Sequence, residues 1–134
     1  MNMKIKKFFE NGKGSEIKFD EIDNISDLNI LKGIAKTDSD YKLRIKAVER
    51  IFDDDFLNDI VYSDPNRKVK ISAVNNIKSQ LFLDNIAKNH SDCHIRIEAI
   101  KKIQDRSALE RIHENESNRH VKKTALERIN QLHY

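Results

Sequence analysis

Apolar and polar positions along this chain repeat with a period of 26 residues. Four alanines mark the period, and an apolar, mostly branched residue lies four positions before and four positions after each of them. The alanines are Ala47, Ala73, Ala99 and Ala125, preceded by Leu43, Val69, Ile95 and Val121 and followed by Ile51, Ile77, Ile103 and Ile129. Residues four apart share one face of an α-helix, and a period of roughly 20 to 50 residues is typical of stacked repeat units. The pattern therefore predicts a tandem array rather than one compact globule.

Each repeat is predicted to contain two short helices, A and B. Residue types that cap helix N-termini recur in two columns. The helix A column contains Asp27, Asp53, Ser79 and Asp105, and the helix B column contains Asp40, Asn66, Asp92 and Asn118. Helix A then carries a leucine and an isoleucine three residues apart, and helix B runs to the isoleucine column that includes Ile51. Helices of about ten residues are marginal alone, so packing within and between repeats has to stabilise them.

We therefore predict an all-α fold, an α-solenoid of about five stacked two-helix repeats that forms a single domain, residues 1–134. The clear repeats are 27–52, 53–78, 79–104 and 105–134. Residues 1–26 fit the same frame less well, because Glu21 occupies the alanine column, and we interpret them as a degenerate first repeat. The alternative is a frayed basic tail before residue 24. Apolar residues near the end, Leu126 and Leu132 among them, predict a monomer or a weak end-to-end dimer.

In each turn between helices A and B, the position six residues before a basic residue is acidic in three repeats and histidine in one; alanine and an apolar residue follow. The segments are DSDYKLRIKAV (38–48), DPNRKVKISAV (64–74), HSDCHIRIEAI (90–100) and ESNRHVKKTAL (116–126). This pattern resembles HEAT repeats, and more closely the short HEAT-like repeats of phycobilisome-lyase-type and archaeal or bacterial proteins. The resemblance covers residues 24–132 well and the first 23 weakly. It implies an α-solenoid whose usual task is to bind other proteins.

The resemblance also implies an intramolecular ladder in which each basic residue of this pattern pairs with turn acids. Its members would be Asp38, Arg44, Asp64, Lys70, Arg96, Glu116 and Lys122. The alternative is a basic stripe that binds phosphates. Because acid and base recur together at a fixed spacing, we favour the ladder. His90 stands in the acid column of its repeat, so the ladder is expected to be weakest there.

Charge is distributed unequally between the two sets of helices. Charged residues make up 35% of the chain, yet the formal net charge is only +3. We compared the net charge of segments that occupy equivalent positions in each repeat. The four predicted B helices have net charges of +2, +3, +1 and +3, whereas the four A helices have +1, −4, 0 and −1. We expect the basic helix B surface to contact a partner, although a merely solvated surface is the alternative. The residues at its exposed columns are Lys42, Lys46, Glu49, Arg50, Lys68, Asn75, His94, Lys101 and His120.

These observations predict a non-enzymatic interaction scaffold whose partner is another protein with an acidic surface. The alternative is sequence-independent binding of a nucleic-acid backbone through the same basic helices. Within the predicted B helices, Tyr41 is the only aromatic residue that could stack on a base. This scarcity argues against recognition of single-stranded nucleic acid. No glycine-rich phosphate loop or nucleophile motif is present, so neither catalytic activity nor a cofactor is expected.

Metal binding and membrane insertion are also not expected from the sequence. His90, Cys93, His94 and His120 are metal-ligating residue types, but their spacing matches no familiar zinc module, and we interpret their placement as incidental. The acidic run Asp53–Asp55 begins a helix, where acids are favoured. The single cysteine excludes an intrachain disulfide, and no apolar run reaches the roughly 18 residues of a membrane span. We therefore expect a cytoplasmic protein without a membrane partner.

Overall fold

The computed structural model describes residues 19–132, and this range contains eight α-helices and no strand. The all-helical prediction is confirmed. A short 3-10 helix, Glu21–Asn24, precedes them. The helices are α1 (Leu28–Thr37), α2 (Tyr41–Val48), α3 (Asp54–Ser63), α4 (Arg67–Asn76), α5 (Gln80–Asn89), α6 (Cys93–Ile100), α7 (Arg106–Asn115) and α8 (Arg119–Gln131). Odd-numbered helices are the predicted A helices, and even-numbered helices are the predicted B helices.

Every α-helix begins directly after a residue of the two predicted capping columns. Asp27, for example, accepts hydrogen bonds from the backbone N–H groups of Asn29 and Ile30, and Asn118 caps α8 in the same way. Such side-chain acceptors satisfy donors that the first helical turn leaves without a partner. The N-terminal boundaries are therefore set locally, by one polar residue in each case.

The C-terminal boundaries of the B helices differ from the predicted isoleucine column: α4 ends one residue before it at Asn76, α8 ends two residues after it at Gln131, and the differences are largest for α2 and α6. The isoleucine column predicts ends at residues 51 and 103, but α2 ends at Val48 and α6 ends at Ile100. Beyond these points the backbone N–H groups bond to the carbonyl three residues back, as from Ile51 to Val48 and from Ile103 to Ile100. This tighter 3-10 spacing closes the last turn and still carries the isoleucines into the core.

The chain divides into two compact units, Met1–Asn76 and Ile77–Tyr134. In the first unit α1 packs against α2, α3 against α4 and α2 against α4, and the 3-10 helix contacts α2. In the second unit α5 packs against α6, α7 against α8, α6 against α8 and α5 against α7. Each A helix thus packs on the B helix that follows it, which is compatible with a helical repeat. Residues 1–18, which carry most of the predicted first repeat, lie outside the described range.

The core of each unit is built from the repeating apolar columns. Ala47, Ala73, Ala99 and Ala125 are all fully buried. Ile22 and Ile25, which occupy the Val48 and Ile51 columns of the repeat frame, are also buried. Because alanine has only one side-chain carbon, it permits close approach of neighbouring helices. Among residues 19–132, no helix is both long and apolar enough to cross a membrane.

Candidate functional site

The basic and acidic columns meet as a buried ion pair in the first unit. Arg44 donates from Nε to Oδ2 of Asp64 at 2.9 Å and from Nη2 to Oδ1 at 3.3 Å. Its Nη1 donates to the main-chain carbonyl of Asp38 at 2.7 Å. One guanidinium therefore joins the α1–α2 turn to the α3–α4 turn, and its planar fork suits a carboxylate in a way that an ammonium does not.

The same arrangement recurs in the second unit. Arg96 donates from Nε to Oε2 of Glu116 at 3.1 Å and from Nη2 to Oε1 at 3.2 Å, and its Nη1 donates to the carbonyl of His90 at 2.8 Å. The two lysines of the basic column are placed differently. Lys70 and Lys122 are half-buried, and neither forms an ion pair with a described residue of its own unit.

The acid column has a second role, because each member also accepts a backbone hydrogen bond within its turn. Asp38, Asp64 and Glu116 accept from the N–H group two residues later, and His90 does the same through Nδ1 at 3.0 Å from Asp92. The histidine thus replaces the carboxylate as the turn acceptor while removing its negative charge. Asp38, Asp64 and His90 are buried together with Arg44, so this column lies inside the structure and is not a surface for ligands.

A second periodic contact was missed by the sequence reasoning. The residue directly before each isoleucine of the Ile51 column donates a hydrogen bond to a carbonyl of the preceding repeat. These donors are Arg50 to Ile22, Asn76 to Val48 and Ile51, Lys102 to Ile77, and Arg128 to Ile103, at 2.6 to 3.1 Å. They reach carbonyls at the ends of the preceding helices, where few helical N–H groups remain as partners; the carbonyls of Ile22 and Val48 also accept from the N–H group three residues later. The available signal was the column itself, which holds a long hydrogen-bond donor in all four repeats.

Two residues predicted to meet a partner are therefore engaged within the chain. Besides the Arg50 bond to Ile22, the Lys46 ammonium contacts the Asp23 carboxylate at 3.2 Å and the Phe19 carbonyl at 3.1 Å. Lys46 also lies 4.1 Å from the centre of the Phe19 ring. We remove both side chains from the candidate surface, because they hold the segment around the 3-10 helix against α2.

Exposed basic residues of α2 and α4 form a basic patch in the first unit. Lys42 on α2 and Lys68 on α4 lie in one column, and both are exposed, as is Arg67 beside them. The Lys68 ammonium lies 5.9 Å from the centre of the Tyr41 ring, which places it next to α2. Neither Lys42 nor Lys68 forms an ion pair with residues 19–76. We call Lys42, Arg67 and Lys68 the α2–α4 basic patch; the predicted surface residues Glu49 and Asn75 are also exposed.

In the second unit three exposed basic residues lie together at the start of α8. Arg119, His120 and Lys123 line an open cavity of about 470 Å³, and we call them the α8 basic patch. His94 and His120, both predicted surface residues, line an adjoining cavity of about 460 Å³ with Cys93. The remaining predicted residue, Lys101, is exposed, and its ammonium contacts Glu98 at 3.2 Å. The structure thus brings His94 and His120 together and leaves Lys101 in a local pair.

The acidic run at the start of α3 is a helix cap, as its sequence suggests. Asp53 accepts a hydrogen bond from the N–H of Phe56 and a 2.8 Å hydrogen bond from the Lys32 ammonium. The Lys32 hydrogen bond, followed by the Phe56 N–H, holds the pKa of Asp53 below its usual value. These contacts account for the carboxylate at this position without a metal ion.

Comparison of the chain with protein-family models, with curated proteins and with solved structures gave no match. Membership of the HEAT-like repeats therefore remains a proposal. Its support is the 26-residue pattern together with the packing of each A helix on the following B helix.

Proposed function

We propose that this chain is a non-enzymatic α-solenoid scaffold of the HEAT-like type that binds an acidic partner protein through its B helices. The observation that carries the proposal is the exposed and locally unpaired charge of Lys42 and Lys68. A second exposed basic cluster lies at the start of α8, where Lys123 also contacts Glu127 at 3.9 Å. Exposed cations without an acidic neighbour attract anionic surfaces and accelerate encounter with them.

The A helices treat their cations differently, and this contrast supports the proposal. In the first unit the ammonium groups of Lys32 and Lys36 contact Asp53 and Asp59 at 2.8 and 3.0 Å. In the second unit Lys88 contacts Asp84 at 2.7 Å, and Arg106 contacts Glu110 at 3.1 Å. Acids beside these cations offset their charge locally. On the B helices Lys101 and Lys123 have acidic neighbours as well, but Lys42 and Lys68 form no ion pair within residues 19–76 and leave their charge for an external acidic group.

Charge reversal at the two basic patches tests this function. The probe is a fluorescently labelled poly-glutamate peptide, a model acidic partner, whose anisotropy is measured against protein concentration at two salt concentrations. We expect saturable binding to the wild-type chain and affinity lower by at least about tenfold in Lys42→Glu/Lys68→Glu. Lys36→Glu/Lys88→Glu changes the net charge equally on A helices and should retain wild-type affinity.

Circular dichroism has to show unchanged helicity in both double variants. Equal loss of poly-glutamate affinity in both would mean that binding follows net charge alone, and the assignment of the B helices would then be overturned. The Arg119→Glu/Lys123→Glu variant examines the α8 basic patch in the same assay. A larger loss there than in Lys42→Glu/Lys68→Glu would move the main contact to the second unit.

Sequence-independent binding of a nucleic-acid backbone is the second candidate, and the α8 basic patch favours it. Arg119 and Lys123 lie in the first two turns of α8, where the helix dipole adds positive potential that suits a phosphate. Labelled duplex DNA and RNA of unrelated sequences are the probes. Nucleic acid would become the favoured partner if the chain bound these probes more tightly than poly-glutamate, without sequence preference, and lost affinity steeply as the salt concentration rises.

A further inference from the structure

We propose that Asp92, Cys93, His94 and His120 form a binding site for zinc or a similar transition-metal cation. The first three residues lie at the beginning of α6, and His120 lies in the first turn of α8, which packs against α6 within the second unit. This site shares His120 with the α8 basic patch, but it does not rest on the proposed scaffold function, which is carried by Lys42 and Lys68 and needs no metal.

The spacing of the three consecutive side chains fits a tetrahedral metal site. Cys93 Sγ lies 3.6 Å from His94 Nδ1, and that nitrogen lies 3.2 Å from Oδ1 of Asp92. One ligand atom from each residue falls within 4.8 Å of the other two. Metal–ligand bonds of about 2.3 Å to sulfur and about 2.0 to 2.2 Å to nitrogen and oxygen place tetrahedral ligands about 3.4 to 3.6 Å apart. The two measured separations therefore lie close to those of a bound site.

His120 supplies the fourth ligand in this proposal. It lines the 460 Å³ cavity together with Cys93 and His94, so its imidazole opens onto the space beside the other ligands. His120 follows His94 by one repeat of 26 residues, and the packing of α6 on α8 brings the two repeats side by side. The cluster of ligand atoms within 4.8 Å contains Asp92, Cys93 and His94 and not His120, so the proposal requires the His120 imidazole to move towards them when the cation binds.

The positive potential at a helix N-terminus disfavours a cation, and the negative charge of the proposed ligands offsets this effect. A bound Cys93 is a thiolate, and with the Asp92 carboxylate it supplies two negative charges against the two positive charges of the cation. Glu127 lines the same cavity, and its carboxylate lies 3.9 Å from the Lys123 ammonium. The Asp92 carboxylate caps α6 by accepting from the His94 N–H at 2.9 Å, and the same Oδ1 lies 3.2 Å from His94 Nδ1.

The donor types select a transition metal over calcium or magnesium. Thiolate and imidazole are preferred ligands of zinc and its neighbours, whereas hard cations require oxygen. The three consecutive ligands Asp92, Cys93 and His94 belong to one repeat. The equivalent positions of the other B helices read Asp40-Tyr41-Lys42, Asn66-Arg67-Lys68 and Asn118-Arg119-His120. The cluster is therefore a property of this repeat and not a consequence of the repeated fold.

Zinc binding to the tag-free, full-length chain tests the proposal. The reduced protein competes with a chromophoric chelator for Zn²⁺, and the expected result is one zinc per chain. Cys93→Ser and His94→Ala should each lower the affinity by at least about tenfold, since even loss of an outer partner of a metal ligand costs that much. His113→Ala removes an imidazole on α7 that does not line the cavity and should leave the affinity unchanged.

Cobalt provides a second readout, because thiolate coordination gives a charge-transfer absorption in the near ultraviolet. That band should appear with the wild-type chain and vanish in Cys93→Ser while the circular dichroism is retained. Zinc affinity should also fall with decreasing pH, because protons compete for the thiolate and imidazoles. Absence of stoichiometric binding, or equal binding by wild type, Cys93→Ser and His94→Ala, overturns the site. Wild-type affinity in His120→Ala overturns the four-ligand assignment.

Discussion

Arg44 and Asp64 form a two-point ion pair whose side chains are only 10% and 3% exposed. The guanidinium and the carboxylate come from sequence positions twenty residues apart, in successive repeats. A charge removed from water to this extent is stable only if a partner and further hydrogen bonds satisfy it, and the carbonyl of Asp38 supplies one of these bonds.

Removal of the carboxylate should therefore be strongly destabilising. We expect Asp64→Ala to lower the free energy of unfolding by about 3 to 5 kcal/mol, because it leaves the Arg44 guanidinium buried without an opposite charge. Urea unfolding followed by circular dichroism measures the change. Asp59→Ala, which breaks the exposed pair with Lys36, is the matched control and should cost less than about 1 kcal/mol. Equal costs for the two variants would contradict a structural role for the buried pair.

The donor column should contribute to stability through hydrogen bonds alone. Asn76 donates from Nδ2 to the carbonyls of Val48 and Ile51 at 2.9 and 3.1 Å. We expect Asn76→Leu to lower the free energy of unfolding by about 1 to 3 kcal/mol, because the Ile51 carbonyl loses its amide donor and the Val48 carbonyl keeps only the Ile51 N–H. Asn130→Leu on the exposed face of α8 should change it by no more than about 0.5 kcal/mol. If Asn76→Leu left the free energy of unfolding unchanged, water would be replacing the amide at no cost in stability, and the hydrogen bonds would not contribute.

The Lys32–Asp53 contact should make stability depend on pH. The pKa of Asp53 is lowered in the folded chain, so folding favours the carboxylate, and the stability it contributes is present above the ordinary value of 3.8. That contribution is lost as the pH falls through the lower, folded-state pKa. Asp53→Asn keeps a capping side chain, so its deficit should be largest near neutral pH and shrink in acid.

Thermal unfolding of Asp53→Asn between neutral and acidic pH measures this effect. The control is the same substitution in a Lys32→Met background, where the largest cause of the lowered pKa is absent. In the Lys32→Met background, Asp53→Asn should cause a smaller loss of stability at neutral pH. A deficit that does not depend on pH in the wild-type background would rule out the charged contact as its source.

The alanine column should not accept larger side chains. Ala47 is fully buried, and a leucine at this position has no space of its own. We expect Ala47→Leu to lower the free energy of unfolding by about 1 to 3 kcal/mol through overpacking. Glu49→Leu adds an apolar side chain at an exposed position two residues later and serves as the control, with a change within about 0.5 kcal/mol. A stable Ala47→Leu variant would mean that the neighbouring helices can separate.

The sequence was sufficient to predict the elements whose causes are local. A capping side chain acts on N–H groups two or three residues away, so Asp27, Asp53 and Asn118 identified where their helices begin. The apolar columns similarly identified the buried faces. The early ends of α2 and α6 were not visible, because an isoleucine fits the same column whether an α-helical or a 3-10 turn brings it to the core.

The tertiary structure alone decided which basic side chains stay exposed and which are held by contacts within the chain. Lys42 and Lys46 have the same charge on one helix, yet Lys42 is exposed and Lys46 contacts Asp23 and the Phe19 carbonyl. No local pattern distinguishes them, because main-chain carbonyls are present at every residue and only packing places one within reach. The same holds for His94 and His120, which line one cavity because α6 packs on α8. Sequence periodicity thus determined the helices and their apolar faces, whereas contacts between distant residues determined which lysines stay exposed and brought His120 to the cavity beside Cys93 and His94.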